Sequence, residues 1–312
     1  MTRKLFILGN GFDIDVNFKT RYIDYYDIWR RNYRWPFNDR SDGLGGYINN
    51  CAKTERWLDL EMALFNYAKA NNGAATRMKN GFYPIDSDKQ DFGILVNNLT
   101  EFIGRIPNET KIDNKSIAAQ VLRTVLDSGG YSIYSFNYTY LPQIAARLFN
   151  NVSLYDDVEY DLSYTPVHGR VIDKSIILGV HSDANLIEGY DFLKKIYQSQ
   201  YRTSSIIQDL VIADEIVFFG LSMGIIDYPY FRDFFTRLST GIVLDEQKKR
   251  VTFFTYNDSS VLDIHKNLSA LTGTDLMNLK NNCSLEFIRT ENHAFFDKAK
   301  LETWMDCQRT VY

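Results

Sequence analysis

Cysteine is scarce in this 312-residue chain: it has three, Cys51, Cys283 and Cys307, far apart. They form neither a C-x-x-C pair nor an even set, which excludes a disulfide framework and points to a reduced, cytoplasmic protein. Long apolar runs are missing as well. No stretch approaches the ~20 residues of a membrane span, and the greasiest segment, Ile216 to Ile226, is broken by Gly220, Ser222 and Gly224. The run Leu5-Phe6-Ile7-Leu8 stops at Gly9 and is too short for a signal-peptide core. No leader and no membrane partner are therefore expected. Positive charge is not in excess: 35 Lys and Arg against 39 Asp and Glu leave a net charge of −4, which disfavours nucleic acid as a partner. The four histidines, His168, His181, His265 and His293, show no H-x-H or H-x-x-x-H spacing, so no metal is expected. Internal repeats and low-complexity tracts are absent too.

What is present is the composition of a folded protein, 45% hydrophobic and 24% charged. The length is about twice the ~150-residue prior for one domain, so the chain is one large domain or a core with a second lobe. Aromatics reach 15%, with 21 Tyr and 21 Phe, which fits a ring-rich core or a base-stacking cleft.

The patterning alternates strands and helices. Leu5 to Leu8 reads as a buried strand entering the Gly9-Asn10-Gly11 turn. Helices are predicted for Tyr22 to Trp29 after Thr20, Trp57 to Phe65, Asp91 to Ile103 and Ser116 to Leu126, with a loop over Arg34 to Tyr47. From Gly129-Gly130 onward Tyr131 to Phe136 reads as a strand and Leu141 to Phe149 as a helix. Ser175 to Val180 and Glu215 to Gly220 are continuous apolar runs ending near glycine, as expected for strands covered on both faces. Phe192 to Ala213 between them, and Tyr228 to Leu238 after them, read as helices. Strands at Arg250 to Tyr256 and Ser284 to Ile288, and helices at Val261 to Leu271 and Phe295 to Trp304, complete an α/β open parallel sheet. Its core is expected from residues 1–20 and 129–312, with 21–128 a large, mainly helical insertion after the first strand.

Four segments could carry chemistry. At the first strand exit, Gly9, Asn10, Gly11, Phe12 and Asp13 permit a tight turn whose backbone approaches a ligand phosphate, or they are turn punctuation alone. Asp13 either accepts from a ribose hydroxyl or caps the loop. In Ser135-Phe136-Asn137-Tyr138-Thr139 the amide of Asn137 suits orienting a water or a ribose hydroxyl; an Asx turn is the other reading. Val167-His168-Gly169 places His168 for general-base work near neutral pH, or as a packed side chain. Finally, Gly220-Leu221-Ser222-Met223-Gly224 leads to Asp227 at a helix start. By letters it also matches a nucleophile elbow, which would need Asp245 or Asp263 and His265 or His293 as partners.

These motifs together, with Thr20-x-Tyr22 and Trp57-Leu58-Asp59-Leu60-Glu61, resemble the AbiH family of phage abortive-infection proteins over nearly the whole chain. Their order also resembles the Rossmann-like, sirtuin-like NAD-binding fold. The resemblance implies an antiviral defence role with a nucleotide, NAD, as ligand or substrate. Hydrolysis of the nicotinamide–ribose bond would then use Asn137 to position water or ribose and His168 as base. Gly9 to Asp13, Gly220, Ser222 and Asp227 would bind the nucleotide. The sirtuin C-x-x-C zinc module is absent, which disfavours lysine deacetylation. The alternatives are a nucleotide-binding sensor without turnover and a Ser222 hydrolase. Such an enzyme would harm its host if constitutively active, so control by a phage-derived trigger or by homo-oligomer assembly is expected.

Overall fold

Short apolar segments, each closed by a turn, assemble into one sheet. The computed structural model describes residues 3–32, 34–38, 43–54, 59–69, 85–150, 161–199, 201, 205–241, 248–273, 276–291 and 297–309. Within them the strands are β1 (Lys4–Leu8), β2 (Tyr131–Ser135), β3 (Thr165–Pro166), β4 (Glu215–Phe219), β5 (Lys249–Thr255) and β6 (Cys283–Arg289). All neighbouring pairs are parallel, and the order is β3-β2-β1-β4-β5-β6. This is a Rossmann-like open α/β arrangement, whose strand order reverses between β1 and β4, the point where such sheets offer a crevice at their carboxyl ends. Pro166 sits in the edge strand β3, where a missing N–H breaks no ladder.

Both faces of the sheet are buried because successive side chains alternate. Phe6, Leu8, Val217, Phe219 and Phe254 enter one core, and Leu5, Ile7, Ile216, Phe218, Val251 and Phe253 enter the other. Phenylalanines in register across β4 and β5 stack, Phe218 on Phe253 at 4.6 Å and Phe219 on Phe254 at 5.4 Å between centroids. Much of the aromatic surplus is thus core packing.

The helices between β1 and β2 are α1 (Asn10–Asp15), α2 (Tyr22–Arg31), α3 (Gly43–Thr54), α4 (Leu60–Ala68), α5 (Ile85–Glu109) and α6 (Ile117–Ser128). After β2 come α7 (Leu141–Phe149), α8 (Ile206–Ile212), α9 (Tyr228–Thr240), α10 (Asp258–Thr272), α11 (Leu276–Asn282) and α12 (Lys298–Arg309). Rings of α2 and α5 pack as a cluster, with Tyr25 and Trp29 both against Phe102. None of the described helices is long and apolar enough to cross a membrane.

Three expectations need correction. The loop expected over Arg34 to Tyr47 gives way to α3 at Gly43, because α5 supplies the missing caps. Asp88 Oδ1 accepts from Leu44 N at 2.7 Å and Asp91 Oδ2 from Gly45 N at 2.9 Å, which satisfies helix-start amides that a glycine-rich sequence cannot cap itself. Ser175 to Val180 is buried in part but is not a strand. It follows a tight turn, with Ser175 N on Arg170 O and Ile177 N on His168 O, and touches no strand ladder beyond an isolated bridge from Val180 to Lys194. The helix expected over Phe192 to Ala213 shrinks to α8, preceded by two 3₁₀ turns, Asp191–Leu193 and Lys195–Tyr197. Trp57 and His293 lie outside the described residues.

Candidate functional site

Register sets four strand exits side by side. Leu8 pairs with Ser135 on one side and Phe219 on the other, and Ser135 pairs with Pro166. The loops bearing His168, Asn137, Gly9 to Asp13 and Gly220 to Asp227 therefore lie along one carboxyl edge.

The glycine loop is closed by backbone on backbone. Gly9 N donates to Phe219 O, Gly11 N to Gly220 O and Phe12 N to Gly9 O, each at 2.9 Å. A Cβ on Gly11 would fall 2.5 Å from Gly220 Cα, and Gly220 itself has φ +64°. This close approach accounts for the glycines, and it uses two amides that the sequence offered to a phosphate. Asn10 is tied to Thr20 through its side-chain amide, and Phe12 is buried edge-on to Phe219.

Asp13 and Asn137 meet here. Asp13 accepts from Asn137 Nδ2 at 3.0 Å and from Thr139 Oγ1 at 2.8 Å, and Asn137 Nδ2 also donates to Gly9 O at 3.0 Å. Burial pushes the Asp13 carboxyl up to about 7, against the pull of its hydrogen bonds to Thr139 and Asn137. The pair braces the first loop, while Asn137 Oδ1 accepts from none of the described residues.

Phe136 and Tyr138, flanking Asn137, turn to a second group. The ring of His168 lies 5.1 Å from that of Phe136 and 6.4 Å from that of Tyr138. His168 Nε2 is 3.1 Å from Lys195 Nζ. An ammonium has donors only, so Nε2 accepts and the ring proton sits on Nδ1, consistent with a hydrogen bond to the Phe136 backbone. Burial first, then the charge of Lys195, hold His168 well below the usual imidazole range, so it is neutral. Lys195 Nζ also lies 2.9 Å from Glu61 Oε1, in the first turn of α4, whose N-cap Asp59 accepts from Met62 N. Asp227 closes the group with Oδ1 4.0 Å from His168 Nε2. Burial raises Glu61 to about 7 despite Lys195, and Asp227 to about 6.

The arrangement can exchange protons near neutral pH: a neutral imidazole, two carboxyls raised toward neutrality and one cation, walled by Phe136 and Tyr230. It is also incompletely satisfied. Asp227 Oδ1 and Glu61 Oε1 are buried without an aligned donor among the described residues. A comparable network at the amino ends of the strands differs on this point. There Lys4 donates to Gln308, Gln308 to Glu215 at 2.6 Å, and Arg250 pairs with Glu215 at 2.8 Å, and none of these side chains leaves a buried polar atom unpartnered. That end is structural. A concavity of about 260 Å³ lined by Arg123, Asp127 and Arg309 borders α6 and α12, apart from the His168 group.

Ser222 is exposed, and its carbonyl accepts from Asn267 Nδ2. The positive φ values fall on Gly220 and Met223 rather than on Ser222, and no described histidine hydrogen-bonds its hydroxyl. Of the partners a nucleophile elbow would need, Asp245 and His293 lie outside the described residues. Glu61 and Lys195 escaped the sequence reading as site residues. An acid after Leu60 in an apolar helix was a faint signal for the first, whereas Lys195 had none.

A family model described as bacteriophage abortive infection AbiH matches residues 5–244, a stretch that contains every residue of this site. No curated protein and no solved structure matches the chain.

Proposed function

Because the chain belongs to the AbiH family of bacteriophage abortive infection, we propose that it acts in phage defence and that the His168 site hydrolyses the nicotinamide–ribose bond of NAD. Heterolysis of that bond leaves positive charge on the ribose and releases a neutral base, so the site must supply a carboxylate facing the reacting carbon and a base for water. Asp227 Oδ1 is such a carboxylate oxygen, buried, without a hydrogen-bond partner among the described residues and 4.0 Å from a neutral imidazole; this observation carries the reading. His168 takes the proton of the attacking water, and Asn137 Oδ1 holds that water or a ribose hydroxyl. The loops of Gly9 to Asp13 and Gly220 to Ser222 seat the nucleotide at the strand-order switch, as in a sirtuin-like core, with the helical span 21–128 as an insertion beside it.

Nicotinamide released from NAD by the purified protein tests this. His168→Ala and Asp227→Asn are expected to lower release at least ~100-fold, the usual contribution of a general base or charge stabiliser, with circular dichroism unchanged. Binding of NAD without release by the wild type under any activating condition would favour a sensor. Since uncontrolled NAD loss harms the host, release should depend on self-assembly or on a phage-derived trigger.

A further inference from the structure

The segment around Lys195 is inside out. Lys195 is 2% exposed, whereas the next two residues, Ile196 and Tyr197, are 49% and 67% exposed. Burying an ammonium and exposing two large apolar side chains are both unfavourable, which favours an exchange of places. Lys195 to Tyr197 form a single 3₁₀ turn, tied by Lys195 N on Val180 O, Tyr197 N on Lys194 O and Gln198 N on Lys195 O. What keeps the lysine inside is Glu61 at 2.9 Å and His168 Nε2 at 3.1 Å.

That second contact has a chemical consequence. Nε2 is the only acceptor of the neutral His168 ring, so a lysine donating to it leaves no site for a proton from water. We propose that Lys195 is an internal plug, which occupies the accepting face of His168 and holds the site off until the Lys195–Tyr197 turn swings it outward. This rests on His168 being the base. Glu61 is the anchor of the plug, and Asp227 is the carboxylate it shields. The device fits an enzyme that must stay silent until triggered, and it locates the trigger at the turn rather than at the nucleotide loops.

The test uses Glu61→Gln/Lys195→Met, which removes the plug without leaving Glu61 as a buried lone charge, and Lys195→Met alone beside it. Two quantities are read in the full-length protein: protonation of the His168 ring by ¹⁵N NMR, and nicotinamide release from NAD. The plug predicts that His168 protonates at a higher pH in the double variant than in the wild type, burial still holding it below the usual imidazole range, and that release rises ~100-fold, the scale of an unblocked general base. Adding His168→Ala should abolish that gain. An unchanged His168 ring overturns the plug. So does release that falls below a His168-dependent wild type, which would make Lys195 part of the machinery. If His168 protonates at that higher pH but no protein releases nicotinamide, the plug stands and the choice of NAD as substrate falls.

Discussion

The partners of Asp13 bear on two roles that its position in the chain leaves open. The sequence placed it at the first loop with two roles open, and its bonds to Asn137 and Thr139 make it a buried brace. Its pH behaviour follows from burial. Unfolded Asp13 ionises near 3.8, whereas the folded carboxyl holds its proton to about 7. The folded state is thus favoured below the lower value, and that advantage is lost as pH rises through the higher one. Asp13→Asn keeps the bond from Asn137 on its Oδ1, reverses the other so that its Nδ2 donates to Thr139 Oγ1, and removes the titration. Its stability relative to wild type should rise between about pH 4 and about pH 7 and then level off, measured as urea midpoints across that range. Parallel pH profiles for the two proteins would contradict the assignment. His168, Asn137 and Asp227 were legible in the same way, as polar residues at strand exits. Lys195 was not, because its importance comes from Glu61 and His168, over a hundred and over twenty positions away in the chain.

At the scale of elements, strands bounded by glycine were legible, β1 and β4 ending at one and β2 starting after a pair. The failures share a cause, since each local pattern was overruled by a distant partner. α3 exists because Asp88 and Asp91 cap its glycine-rich start from α5. Ser175 to Val180 is apolar because it is packed, not because it is laddered. Asp88 is the sharpest case, for it also accepts from Tyr67 and Tyr190 at 2.7 and 2.6 Å. Asp88→Ala would take an acceptor away from three buried donors. A loss of about 3 kcal/mol in unfolding free energy is expected from chemical denaturation, with the helical signal of α3 among the first to fall in hydrogen exchange. A loss under about 0.5 kcal/mol, the range of ordinary surface substitutions, would show that α3 stands without this cap.

Across the whole molecule, the alternation of strands and helices was enough to expect an open parallel sheet, and the order β3-β2-β1-β4-β5-β6 adds where its switch point lies. The sequence could not order strands, because pairing is decided by long-range register. The two polar networks at opposite ends of the sheet then divide the labour. The amino end is closed and satisfied, and the carboxyl end keeps a buried carboxylate oxygen, Asp227 Oδ1, without a donor among the described residues. Membership of the AbiH family gives that asymmetry a biological setting, and the proposal joins the two: defence would work through His168-dependent loss of NAD. The most direct measurement is the intracellular NAD pool of phage-infected cells carrying the wild-type protein or His168→Ala. The account predicts that NAD collapses after infection only with the wild type, and that protection is lost together with that collapse. Protection against phage with an intact NAD pool would contradict it.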